Sequence, residues 1–462
     1  MDTPIMDFVQ GYAKSDIKRL HMPGHKGHNY LGCEYMDITE VKGADALYEA
    51  DGIIAQSEAN ATKIFGTFRT LYSAEGSSQC IRAMLYLALL DYYRKKHGSK
   101  AKIHCGKPKV VAARNVHKSF IYAAALLDFD PIWMWPNEGH KDGLCSCKIS
   151  ASELEKLLSD MTEPPAAVYL TSPDYLGGQQ DIRKIADICH NYNTLLVVDN
   201  AHGAYLHFLE KSQHPIDLGA DICCDSAHKT LPVLTGGAYL HIANPSLADE
   251  AKHALALFGS TSPSYLIMSS LDFCNAYLSS DYKIKLKNTV AEINRVKDEL
   301  RMLGWRIYDS DPLKLTIGAD KNISGMKLAD ILRNNGFEPE FSDPDYLVLM
   351  LTPSNSIKDY ELLPQILGNA ADCINEDFQG KEKFNSINLL PNISGEQVIS
   401  IRDAIFAVHE IVEAKNAKGR ICGAPTVACP PAIPIAVSGE KIGDLEIKLF
   451  EYYGINEIEV VI

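Results

Sequence analysis

The chain has 462 residues, 46% hydrophobic and 23% charged, which is enough for two or three domains of ordinary globular composition. Its 45 basic and 59 acidic residues leave a net charge of −14. That argues against nucleic acid as a partner, which needs a basic footprint, and favours only the approach of a cationic small molecule. The twelve cysteines include no zinc-spaced CxxC pairs, the sequence holds no bilayer-length apolar run, and no signal peptide is expected. The expectation is a cytoplasmic protein with reduced thiols, no metal and no membrane partner.

Residues 1–40, rich in Pro and Gly, predict an arm that packs on the main body or on a partner subunit. His21, His25 and His28 invite a metal reading, but Pro23 and Gly24 break the helix that would align them, and no HExxH pattern is present. Glu58–Phe65 reads as a helix ended by Gly66, and Phe68–Ser73 as a strand. Gly76-Ser77-Ser78-Gln79 then opens a helix over Cys80–Lys96. A Gly/Ser turn at a helix start presents backbone N–H groups and the positive end of the dipole, which suits a phosphate; it is also a common N-cap. Val110–Ala113 predicts a strand, with His117 at the turn into a helix that starts near Ser119. Ala166–Leu170 predicts another strand, followed by the loop Thr171–Gly178 with Asp174 inside it, and Asp181–Tyr192 an amphipathic helix. This alternation points to a mostly parallel sheet.

Leu195–Val198 is a continuous apolar run, as in a parallel strand covered on both faces, and it ends in Asp199. Strand carboxyl ends are where open α/β sheets bind ligands. Ala201, Gly203 and Ala204 keep the next loop small enough for a flat group to approach. Ile222–Cys224 is a second short buried strand, followed by Ser226, His228, Lys229 and Thr230. An isolated Asp here would be a helix cap, and an isolated Lys a surface group. Together they are the two main protein contributions to pyridoxal-phosphate chemistry: an acid that pairs the pyridinium nitrogen and an amine that forms a Schiff base.

Beyond the lysine come Gly259–Tyr265, with Thr261 and Ser262, and a long charged helix over Lys285–Leu303, expected to bridge two domains. Residues 305–375 predict a small α/β unit, 376–396 a polar linker, Ile399–Glu413 a helix, and Cys429–Ile435 a rigid proline-rich segment before Glu440. The expected division is an arm at 1–40, a large domain at 41–285, a small α/β domain at 286–375 and a region at 376–462 completing the mouth of the site.

HMPGHKG (21–27), DITE (37–40), HKS (117–119), DNAHG (199–203), SAHKTL (226–231) and PPAIP…GE (430–440) occur in this order along nearly the whole chain. On these six motifs the sequence resembles the short form of the bacterial ornithine/lysine/arginine decarboxylase family, within the fold-type-I pyridoxal-phosphate enzymes. The resemblance implies an aspartate-aminotransferase-like large domain and decarboxylation of a basic amino acid to CO2 and a polyamine-pathway amine. It implies that Lys229 forms the Schiff base, Asp199 pairs the ring nitrogen, and His117 stacks on the ring opposite Ala201. Ser77, Ser78, Gln79, His202, Ser226 and His228 complete the cofactor set, with Lys229 or His228 returning the proton. Thr261 and Ser262 would reach the cofactor phosphate of a neighbouring subunit, making a homodimer with composite sites. A basic substrate tail needs an acidic partner, for which Glu440, Asp174 and Asp45 are candidates. The sequence departs from the family pattern at Asn200, commonly Glu, and at Cys429 and Ala432. An aminotransferase or lyase of the same fold stays open, because fold does not fix chemistry.

Overall fold

The computed structural model describes residues 1–98, 106–136, 143–308, 310–319, 323–377, 395–425 and 434–462. Cys429 and Ala432, and most of the predicted linker, lie outside the described residues. Seven strands, β1 (Arg69–Ser73), β2 (Lys109–Ala113), β3 (Asp130–Met134), β4 (Ala167–Thr171), β5 (Leu195–Asp199), β6 (Ile222–Asp225) and β7 (Ala238–Ile242), form one mostly parallel sheet. Its order is β1-β7-β6-β5-β4-β2-β3. β5 pairs parallel to β6 with Asp199 opposite Cys224, while β7 runs antiparallel to both β1 and β6.

The chain divides into two compact units. The first comprises Met1–Gly106, Met161–Tyr169 and Asp181–Leu286. Every residue of β5, β6 and β7 is buried, which accounts for the apolar runs Leu195–Val198 and Ile222–Cys224. The helix Ile182–Asn191 turns Ile182, Ile185, Ala186, Ile188 and Cys189 inward, and the Asp181 carboxylate caps it by accepting the Lys184 N–H. The predicted helix after the Gly/Ser turn spans Gly76–His97, so Ser77, Ser78 and Gln79 lie in its first turn.

The second unit comprises Lys107–Asp160, Leu170–Gln180 and Lys287–Ile462. It contains an antiparallel sheet of β8 (Arg306–Ile307), β9 (Lys314–Gly318), β10 (Phe341–Ser342) and β11 (Tyr346–Met350), ordered β10-β11-β9-β8. An antiparallel pair, β12 (His409–Glu413) and β13 (Glu457–Val461), closes over Cys422, Ile435, Leu449 and Phe450. This corrects the helix predicted over Ile399–Glu413. The helix covers only Ile401–Phe406, and Ala407 is extended. The β-branched residues Ile411 and Val412 lie instead in a strand whose partner is at the end of the chain. Among the described residues no helix is long and apolar enough to cross a membrane.

Candidate active site

The loop after β5 and the short helix Ala227–Thr230 after β6 bring His202 and Lys229 together. The Lys229 amine lies 3.0 Å from Nε2 of His202. Asp199, 2% exposed, accepts the Ala201 N–H at 3.2 Å, the Tyr169 hydroxyl at 3.2 Å and the Cys224 thiol at 3.8 Å. Burial pushes its carboxyl up, and the charge of Lys229 and these hydrogen bonds act against that rise. Tyr169, on the Asp199 carboxylate, was not singled out in the sequence. A tyrosine inside the buried run of β4 needs a hydroxyl partner, and that was the available signal. Burial, and then the nearby Asp199 charge, hold its phenol well above the usual range.

His228 donates from Nδ1 to the Gly237 carbonyl at 3.0 Å, which leaves Nε2 with the lone pair in the neutral ring. The Ser226 hydroxyl donates to that of Ser77 at 2.8 Å, tying the lysine segment to the start of the helix Gly76–His97. Ser78 lies in the same turn. The Gln79 side chain is committed elsewhere: it accepts from Ser73 at 2.5 Å and donates to Tyr48 at 2.9 Å and to the Leu255 carbonyl at 2.8 Å. Ala201 is buried. Thr261 and Ser262 are in the loop before the helix Tyr265–Leu278, and Thr261 is exposed. Asp45 is occupied by backbone, accepting N–H groups of Ala46, Asp51, Gly52 and Ile54 at the start of the helix Ile53–Phe65.

In the second unit, His117 caps the helix Lys118–Leu127, accepting the Ser119 N–H on Nδ1 at 3.2 Å. Asp174 is buried and accepts the Gly178 N–H at 2.7 Å; burial raises its carboxyl to about 6, with the Lys314 charge opposing. Glu440 pairs with Arg114 at 3.1 Å, both side chains under 10% exposed, and also accepts the Val437 N–H at 2.8 Å. The Arg114 guanidinium lies over Trp133 and Trp135, 5.2 and 5.4 Å from the ring centroids. Arg114 had not been singled out in the sequence.

The residues of the first unit fit pyridoxal phosphate. There is an amine for covalent attachment, a buried acid on the neighbouring strand, small residues in the loop between them, and serines at a helix start. Residues 3–308 match the model of the family described as Orn/Lys/Arg decarboxylase, major domain. The chain belongs to the Orn/Lys/Arg decarboxylase family. It is 28% identical to an arginine decarboxylase of Bacillus subtilis over 473 residues, covering 96% of this chain and 91% of that protein. The lysine decarboxylase of Francisella novicida shares its fold, with a TM-score of 0.81 at 17% identity over 100% of this chain and 81% of the other. A serine palmitoyltransferase of Sphingomonas wittichii, at 13% identity, aligns with a TM-score of 0.57 over 81% of this chain and 85% of its own. As a member of the Orn/Lys/Arg decarboxylase family, the protein is an amino-acid decarboxylase of the fold-type-I class, and the family is pyridoxal-phosphate-dependent.

Proposed function

We propose that this chain binds pyridoxal phosphate on Lys229 and decarboxylates arginine, lysine or ornithine as a cytoplasmic homodimer. The observation that carries the reading is the Lys229 amine beside His202, in the short helix after the strand next to the one that ends in the buried Asp199. Pyridoxal phosphate, when bound, supplies an electron sink for the charge left at the α-carbon as CO2 departs. Lys229 would hold the cofactor covalently and give way to the substrate amine. Asp199 would keep a proton on the ring nitrogen, with Tyr169 and the Ala201 N–H fixing the direction of its carboxylate. Ser77, Ser78 and Ser226 would take the phosphate at the helix start, where backbone N–H groups and the dipole favour an anion. His228, its Nδ1 proton engaged by Gly237, can hold or release a proton at Nε2.

The family resemblance assigns one face of the ring to His117, and Thr261 and Ser262 to the phosphate of a second subunit. The division into an arm, a large domain, a small α/β domain and a C-terminal region is part of the same reading. For the substrate tail the three acids Glu440, Asp174 and Asp45 stay candidates. One Glu440 oxygen is buried without a hydrogen-bond partner among the described residues, and Asp45 and Asp174 accept backbone N–H groups.

The test is borohydride reduction of the purified protein with pyridoxal phosphate, peptide mapping, and CO2 release over arginine, lysine, ornithine and neutral amino acids. The expected result is an adduct on Lys229, absent in Lys229→Ala, and CO2 with an amine product from a basic amino acid. A keto acid or ammonia as the product would move the protein to transamination or elimination. No adduct in the wild type would sink the cofactor reading.

A further inference from the structure

Behind the cofactor residues the first unit buries a polar network centred on Asp225, the last residue of β6. Asp225 and Asn200 are both 0% exposed. One oxygen of Asp225 accepts the Asn200 amide at 2.6 Å, and the other accepts Nε2 of His214 and of His241, each at 3.1 Å. On the far sides of the rings, His241 Nδ1 lies 2.9 Å from the Thr70 hydroxyl, and His214 Nδ1 takes the Ile216 N–H at 3.4 Å. Both rings thus donate from Nε2 to one carboxylate. His214, Cys223 and Asp225 also bring three potential metal ligands within 4.8 Å. The proton on His214 Nε2 stands where a cation would sit, and burial pushes the Cys223 thiol well up, so the cluster is a hydrogen-bond network.

The network lies where the backbone ladder between β5 and β6 ends, at Asp199 opposite Cys224. One residue on, the Asn200 N–H donates to the Cys224 carbonyl at 3.0 Å, and the Asn200 side chain reaches Asp225. Side chains therefore carry the pairing one step past the ladder. That step joins the residue after Asp199 to the residue before Ser226, in the segment that leads directly into Lys229. We infer that Asn200 and Asp225 are a positioning pair that sets the spacing of Asp199 from Lys229 without touching cofactor or substrate. The inference rests on the reading of Asp199 and Lys229 as cofactor residues.

An amide and a carboxylate of equal size can exchange strands with every hydrogen bond remade. In the double variant N200D/D225N, the carboxylate now carried by the β5 loop accepts from the amide now carried by β6. The oxygen of that amide still accepts from the two histidines. The experiment compares wild type, Asn200→Asp, Asp225→Asn and the double variant. Three quantities are read: the melting temperature of the cofactor-free protein, the dissociation constant for pyridoxal phosphate from the lysine-bound absorbance band, and the pH at which that band changes. Asn200→Asp sets two carboxylates against each other, whereas in Asp225→Asn the Asn200 amide can turn its buried oxygen to the new amide nitrogen and remake the bond. Asn200→Asp is expected to weaken cofactor binding by about tenfold or more and to shift the band's transition, and Asp225→Asn to change both less; the exchange is expected to return both to within about threefold of wild type. Additive losses in the double variant overturn the inference, as does an Asn200→Asp variant that melts earlier while binding the cofactor unchanged. If a single variant does not fold, a folded double variant with the band supports the pair and an unfolded one overturns it. A wild type without the band defeats the cofactor reading instead, and is distinguishable because failure of the pair leaves the wild-type band intact.

Discussion

The amine of Lys229 and Nε2 of His202, 3.0 Å apart, join the short helix after β6 to the loop after β5. His202 stands directly against the amine proposed to react, so its removal should be felt in attachment rather than in folding. Hydrogen bonds to charged groups contribute roughly 1.5–3 kcal/mol, so His202→Leu should slow attachment of pyridoxal phosphate about ten- to a hundredfold. His202→Gln, which keeps an acceptor within reach, should recover part of that loss. Stopped-flow absorbance after adding the cofactor to the cofactor-free protein reads the rate. Equal rates in all three proteins would remove His202 from the site.

Glu440 and Arg114 form a buried pair under two tryptophans, and the pair separates two roles for the acid. Breaking a buried ion pair by removing one partner costs roughly 3–5 kcal/mol. Glu440→Ala should therefore lower the melting temperature sharply. Glu440→Gln, which can still accept the Val437 N–H, should lower it less. If the unpartnered oxygen also reads the substrate tail, Glu440→Gln raises KM for basic amino acids more than it changes kcat. A raised KM without any loss of melting temperature would mean that the acid serves the substrate alone.

Much of this arrangement was legible because buried parallel strands announce themselves. The runs Leu195–Val198 and Ile222–Cys224 are apolar until the strand ends, so Asp199 and the polar segment that holds Lys229 stood out after them. The Gly/Ser turn was equally readable, since the helix begins at Gly76. What remained hidden depends on contacts between distant segments. β12 was read as helix because its partner β13 lies at the end of the chain. Arg114 carried no signal of its own, since its partner Glu440 lies 326 residues on. Asn200 appeared only as a departure from a motif, and its reason lay 25 residues on, in the carboxylate of Asp225.

Asp343 gives the second unit a pH dependence. It is buried, accepts the N–H groups of Asp345 and Tyr346 at 2.7 and 2.6 Å, and burial, with the Asp345 charge, raises its carboxyl from 3.8 to about 7. A carboxyl raised in the fold favours the folded state while protonated. Its contribution is present below the unfolded value near 3.8 and is lost as the pH climbs to about 7. Asp343→Asn keeps the acceptor oxygen and removes the titration. The variant should show a flatter melting temperature than wild type between about pH 4 and pH 7. Parallel curves for the two proteins would rule Asp343 out as the source.

Gly203 closes the turn after Asp199, its N–H donating to the Asn200 carbonyl at 2.8 Å. A Cβ there would stand 2.0 Å from Oδ1 of Asn200 and 2.7 Å from Leu206, so even alanine forces the loop to move. Overpacking of this kind costs roughly 1–3 kcal/mol. Because the atom struck belongs to the side chain that holds Asp225, Gly203→Ala should loosen cofactor binding as well as lower the melting temperature. The two effects share a cause, which a cycle can isolate. In an Asn200→Ala background the oxygen is gone, and adding Gly203→Ala should cost less than it does in wild type, the remainder being the contact with Leu206. Calorimetric melting of the four proteins measures the coupling. An equal cost in both backgrounds would place the strain at Leu206 and leave Asn200 undisturbed by the turn.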